Sequence, residues 1–94
     1  MEKDKTLIPN ELKMYRKIMG YKQVDVAKLF GHKNTAILSA WERGAQMPSA
    51  VSLLKLSIIY NTLPAQLYWD LYNGLKVQHQ PNALTPVSTY QLSD

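Results

Sequence analysis

A chain of 94 residues holds one domain with a modest core. With no cysteine, disulfide and thiol chemistry are excluded and a cytoplasmic location is expected, and no apolar run approaches the roughly 20 residues that cross a bilayer. The net charge of +4 favours a polyanionic partner, the more so because Leu12 to Lys55 holds eight basic residues against Asp25 and Glu42, a balance of +6 that leaves −2 for the remainder.

The opening MEKDKTLIP mixes charges of both signs and lacks the apolar stretch of a secretory signal, so residues 1–8 read as a loose arm. Pro9 suits a helix start and Asn10 a cap. The first helix runs to about Met19, with Leu12, Tyr15 and Met19 on one face, Lys13 and Lys17 outside, and Gly20 at its end. Gln23 to Phe30 follows with Val26, Ala27, Leu29 and Phe30 at helical spacing. Gly31 supplies a residue that reaches positive φ cheaply. Asn34 or Thr35 then caps a helix from Ala36 to Arg43, whose apolar members are Ile37, Leu38 and Trp41. Gly44 closes it. Two short helices, a glycine turn and a basic surround predict a helix-turn-helix.

Ala45-Gln46-Met47-Pro48 reads as a loop, and Ser49 caps a fourth helix from Ala50 to about Tyr60. Val51, Leu53, Leu54, Leu56, Ile58 and Ile59 surround that helix, which predicts the most buried element of the fold. Asn61-Thr62 interrupts the pattern. Pro64 lies in the first turn of a fifth helix carrying Leu67, Tyr68, Leu71 and Tyr72, extended past Gly74 by Leu75 and Val77. Leu67 and Leu71 face inward, leaving part of the Tyr68, Trp69 and Tyr72 set for an interface or for cover by the tail. Beyond Gln80 proline, serine, threonine and glutamine dominate, which predicts disorder or order only against a partner. The expected fold is all-α, a five-helix domain over residues 9–72 and a C-terminal extension over residues 73–94 that is helical to about 80 and flexible beyond.

Little else in the chain carries chemistry. His32 and His79 lie far apart with no cysteine to join them, so no metal or other cofactor is expected, and His32 fits packing in the turn or contact with a phosphate. No nucleophile with a base and no phosphate-cradling glycine loop is present, so an enzyme is not expected.

From Leu12 to Leu67 the chain resembles the Cro/lambda-repressor (XRE) family of helix-turn-helix domains. The resemblance is carried by Arg16, by Gln23 and Ala27, by Gly31, by the run Ser39-Ala40-Trp41-Glu42-Arg43-Gly44, and by Pro48-Ser49 followed by Leu53-Leu54-Lys55-Leu56. It implies that Gln23 places its side chain and backbone N–H against a DNA phosphate. It implies that Thr35, Ala36 and Ala40 look into the major groove, with Lys33 and Asn34 in the turn and Arg43 at the helix end touching the backbone. Arg16 and Glu42 match a pair that forms an internal salt bridge.

Two departures stand out. The turn Gly31-His32-Lys33-Asn34 is one residue longer than the usual pattern, and Ala36 and Ala40 offer no hydrogen bond where strong readout uses Arg, Lys, Asn or Gln. Single hydrogen bonds from Asn34, Thr35 and Ser39, alanine packing on thymine methyls, phosphate contacts and DNA shape are left to supply recognition. The resemblance implies a sequence-specific DNA-binding transcriptional regulator with its recognition helix at about 35–43 in the major groove. Double-stranded DNA would be bound by a homodimer paired through the fifth helix and its extension, with room for a regulatory protein partner. The alternative is a protein-binding module on the same fold: an antitoxin, antirepressor or adaptor subunit.

Overall fold

Six helices make up the described residues, 7–80, of the computed structural model: α1 (Leu12–Ile18), α2 (Gln23–Leu29), α3 (Ala36–Arg43), α4 (Ala50–Ile59), α5 (Pro64–Leu67) and α6 (Trp69–Gln78). No strand occurs among them. The expected disorder beyond Gln80 and most of the expected N-terminal arm lie outside the described residues.

Helix ends follow the local chemistry of the sequence. The Asn10 side-chain carbonyl accepts the Leu12 N–H at 3.0 Å, and the Asp25 carboxylate accepts the Lys22 N–H at 2.8 Å ahead of α2. Asn34 rather than Thr35 caps α3 by side chain, accepting the Ala36 N–H at 2.9 Å. The Ser49 hydroxyl accepts the Ser52 N–H at 3.2 Å. Each bond satisfies a donor that the first helical turn leaves without a partner.

The core is built from Leu12, Val26, Leu38, Trp41, Leu56, Tyr60, Leu67 and Tyr68, one or two residues from every helix but α6 and with Tyr60 and Tyr68 at helix ends. Ile8 packs against this cluster and is not part of a loose arm. Its N–H donates to the Gly44 carbonyl at 2.8 Å, and the Asn10 amide donates to the carbonyls of Ile8, Trp41 and Glu42 at 3.1–3.3 Å. Residues 8–10 therefore tie the last turn of α3 to the start of α1. Gly44 has φ +80°, and a Cβ there would collide with the Ile8 carbonyl and lie 2.8 Å from its nitrogen. That position needs glycine twice over, for its torsion and for the close backbone.

Two expectations about the second half are corrected. The fifth helix is not continuous but breaks at Tyr68, with φ −127° and ψ 48°. The Leu67 carbonyl is taken by the Glu11 N–H at 2.8 Å, and the break lets the consecutive side chains of Leu67 and Tyr68 both reach the core. Nor is α4 the most buried element: Leu56 and Ser57 are its buried members, whereas Val51, Leu54 and Ile58 face outward. Apolar residues all round a helix predict burial all round, but a domain this small covers only one side of it.

Candidate nucleic-acid interface

α2 and α3 are held at a fixed angle by a turn and a charged clamp. After Leu29 the chain folds back so that the His32 N–H donates to the Ala27 carbonyl at 2.9 Å, with Gly31 at φ +76°. Phe30 packs edge-on against Trp41 with ring centroids 5.6 Å apart, His32 lies 5.6 Å from Phe30, and Lys55 Nζ sits 5.7 Å above the Phe30 ring. His32 thus packs in the turn, one of its two expected roles.

Arg16 reaches from α1 to grip Glu42 at the end of α3. Its Nε donates to Glu42 Oε2 at 2.6 Å, its Nη2 to Glu42 Oε1 at 3.1 Å, and its Nη1 to the Tyr21 carbonyl at 3.0 Å. The hydrogen bond to Glu42 holds the guanidinium pKa above its ordinary value even though burial opposes the charge. Gln23, the first residue of α2, donates its Nε2 to Glu42 Oε1 at 2.9 Å. Glu42 therefore joins three helices, and the pair that the resemblance implied is present.

This scaffold fixes what the remaining residues present. Lys33, Asn34 and Ala36 are exposed side by side at the start of α3, with Thr35 half-buried among them. Arg43 is exposed two turns along, and its Nη1 donates to Ser39 Oγ at 2.8 Å, so the guanidinium lies back along the helix. Two residues differ from the expectation. Ala40 is only 9% exposed and is not an open groove-facing residue; past Gly44 the chain turns back, and the Ala45 and Gln46 N–H groups both donate to the Ala40 carbonyl. The Gln23 side chain is not wholly free for phosphate, since one amide N–H is held by Glu42 and the second is what remains.

Sequence reasoning missed two residues. Ile37, expected in the apolar stripe, is 43% exposed beside Ala36. Asn10 was read as a cap alone, and nothing local signals its contacts to carbonyls 31 and 32 residues away. Among the described residues no cluster of His, Asp or Glu has the makings of a metal site, and no helix is long and apolar enough to cross a membrane.

The family model described as helix-turn-helix matches residues 12–67, which span α1 to the end of α5. No curated protein and no solved structure matches the chain.

Proposed function

Since the chain belongs to the Cro/lambda-repressor-like helix-turn-helix family, whose members are DNA-binding regulators, we propose that it is a sequence-specific transcriptional regulator that seats α3 in the major groove. The observation that carries this reading is the two-sidedness of α3. Leu38 and Trp41 are sealed in the core, while Lys33, Asn34, Ala36 and Arg43 stand exposed on the segment that holds the excess positive charge. Lys33 and Arg43 contact phosphates near the two ends of the helix, and Gln23 adds its free amide N–H. Asn34, Thr35, Ala36 and Ser39 meet base edges. Ala36 has only a methyl for a thymine, and Ser39 shares its hydroxyl with Arg43. Direct readout is therefore modest, and shape and phosphate contacts supply most of the affinity. A single domain with so few base contacts selects an operator poorly, so a homodimer on a two-fold site completes the reading.

Fluorescence anisotropy with duplex DNA across a salt series tests it. Each neutralised phosphate lowers the slope of log K against log salt by about 0.9, and a flat line refutes the mechanism. Selection from a random duplex library would then return a palindromic site if the two-fold reading holds.

One observation favours the second reading, a protein-binding module. Trp69 and Tyr72 stack at 6.0 Å on α6, a helix with no buried residue, and both are exposed. Unchanged activity in cells after Lys33→Ala with Arg43→Ala would favour that reading over DNA binding.

A further inference from the structure

The outer arc of α4 is an apolar ridge. Val51, Leu54 and Ile58 recur at three- and four-residue steps opposite Leu56 and are 62%, 54% and 78% exposed. Leu63, 68% exposed, extends the ridge: Ile58 and Leu63 line one groove with Ser57, Asn61, Thr62 and Pro64. Side chains this exposed, placed next to one another, present on the order of 400 Å² of apolar surface, within the range of the largest patch on a monomer and commonly functional.

We propose that this ridge and groove are the surface through which two copies of the chain pair about a two-fold axis. The proposal rests on the homodimer reading above and moves its surface from the fifth helix and its extension to α4 and the loop that leads into α5. Three features select a second copy as the occupant. Two such patches face to face, with the polar rim around them, remove about 1,000 Å² from water, the lower bound for a specific interface. Charge points the same way. The segment from Leu12 to Lys55 carries +6, so two copies repel wherever basic faces meet, whereas Val51, Leu54, Ile58 and Leu63 bring no charge. Lys55, the exposed cation beside them on α4, holds its Nζ 5.7 Å above the Phe30 ring. An acidic partner would find a single cation at this face, Lys55, already drawn over Phe30. Shape agrees as well, since a ridge beside a groove is self-complementary: in a two-fold pair each ridge enters the other copy's groove. On α6, Trp69 and Tyr72 are less than half exposed and are flanked by Asp70 and Lys76.

Sedimentation equilibrium of the full chain without DNA is the test, comparing wild type, Ile58→Glu and Tyr72→Glu. A carboxylate forced into the apolar contact raises the dimer dissociation constant by about 30-fold or more, while Tyr72→Glu leaves it unchanged. Ile58 is almost wholly exposed, so the variant keeps the far-UV spectrum and melting temperature of wild type; if it does not, Leu54→Gln reads the same surface. A wild type still monomeric at roughly 100 μM overturns the proposal. So does an Ile58→Glu chain that pairs like wild type, or dissociation by Tyr72→Glu instead. Because no DNA is present, the two readings fail separately. A chain that pairs through α4 but ignores DNA sinks only the DNA reading, a monomer with a normal salt slope sinks the pairing and leaves the DNA contact standing, and an Ile58→Glu chain that still pairs sinks this surface alone.

Discussion

Gly44→Ala tests how tightly the N-terminal strap and α3 are joined. An alanine at φ +80° bears the left-handed strain of an L-residue, about 1–2 kcal/mol. Its methyl would also collide with backbone atoms of Ile8, which cannot swing aside as a flexible side chain does. Moving Ile8 breaks the 2.8 Å bond from its N–H to the Gly44 carbonyl, roughly 1 kcal/mol, and withdraws a half-buried isoleucine from the core, about 1 kcal/mol more. The total is about 3–4 kcal/mol. Gly31→Ala provides the control, because Gly31 has nearly the same torsion, φ +76°, with nothing within 4 Å of an added Cβ. It should cost the strain alone. Urea and thermal unfolding followed by circular dichroism measure both variants. The difference of about 2 kcal/mol corresponds to melting temperatures roughly 8–16 °C apart for a domain of this size. Equal losses from the two variants would show that Ile8 does not press on Gly44, and the strap would then contribute nothing to holding α3.

Glu42→Ala strands the buried Arg16 guanidinium and should cost about 3–5 kcal/mol in urea unfolding; a loss below about 1 kcal/mol would place the pair in solvent. Lys33→Ala and Arg43→Ala should each reduce the salt slope of DNA binding by about 1 while leaving stability within about 0.5 kcal/mol, as read by anisotropy and melting. At high pH, burial raises the Tyr68 hydroxyl from its ordinary 10.0 to about 12, and Tyr60 is raised further, by burial first and by Glu42 second. The unfolded chain releases these protons first, so stability is complete below pH 10 and falls as pH rises through 12. Tyr68 alone accounts for roughly 3 kcal/mol of that loss, and Tyr68→Phe should flatten the fall.

What the sequence made legible is what depends on near neighbours. The starts of α3 and α4 are set by Asn34 and Ser49, and the ends of α1, α2 and α3 by glycines, because caps and torsions act over three or four residues. The inward side of α3 was equally readable, since Leu38 and Trp41 fall three residues apart. The breaks in legibility come where a distant group decides. Asn10 looks like an ordinary cap until its amide meets carbonyls 31 and 32 residues on. The break at Tyr68 depends on Glu11 reaching the Leu67 carbonyl. Periodicity marks α4 as apolar on every side, but the number of neighbours available to cover it is a property of the whole domain. At the candidate interface the exposure of Lys33, Asn34 and Ala36 was readable, whereas the tether on Gln23 follows from a tertiary hydrogen bond to Glu42.

These tethers make the scaffold and the proposed DNA-facing surface one mechanical unit. Glu42 is bonded to Arg16 on α1 and to Gln23 at the start of α2, and it precedes Arg43 in the chain. The Gln23 amide is therefore placed by a buried carboxylate, and the Arg43 guanidinium by the Ser39 hydroxyl. If Gln23 and Arg43 contact phosphates as proposed, the clamp gains affinity because its donors are already ordered before DNA arrives. The same arrangement explains how few base-reading groups the helix carries without making the surface featureless. Ser39 holds Arg43, Asn34 holds the first turn of α3, and Glu42 holds Gln23, so these polar groups are already engaged within the protein. On the proposed reading, recognition then falls to the path of the DNA backbone past these points, which is how sequence-dependent shape is read.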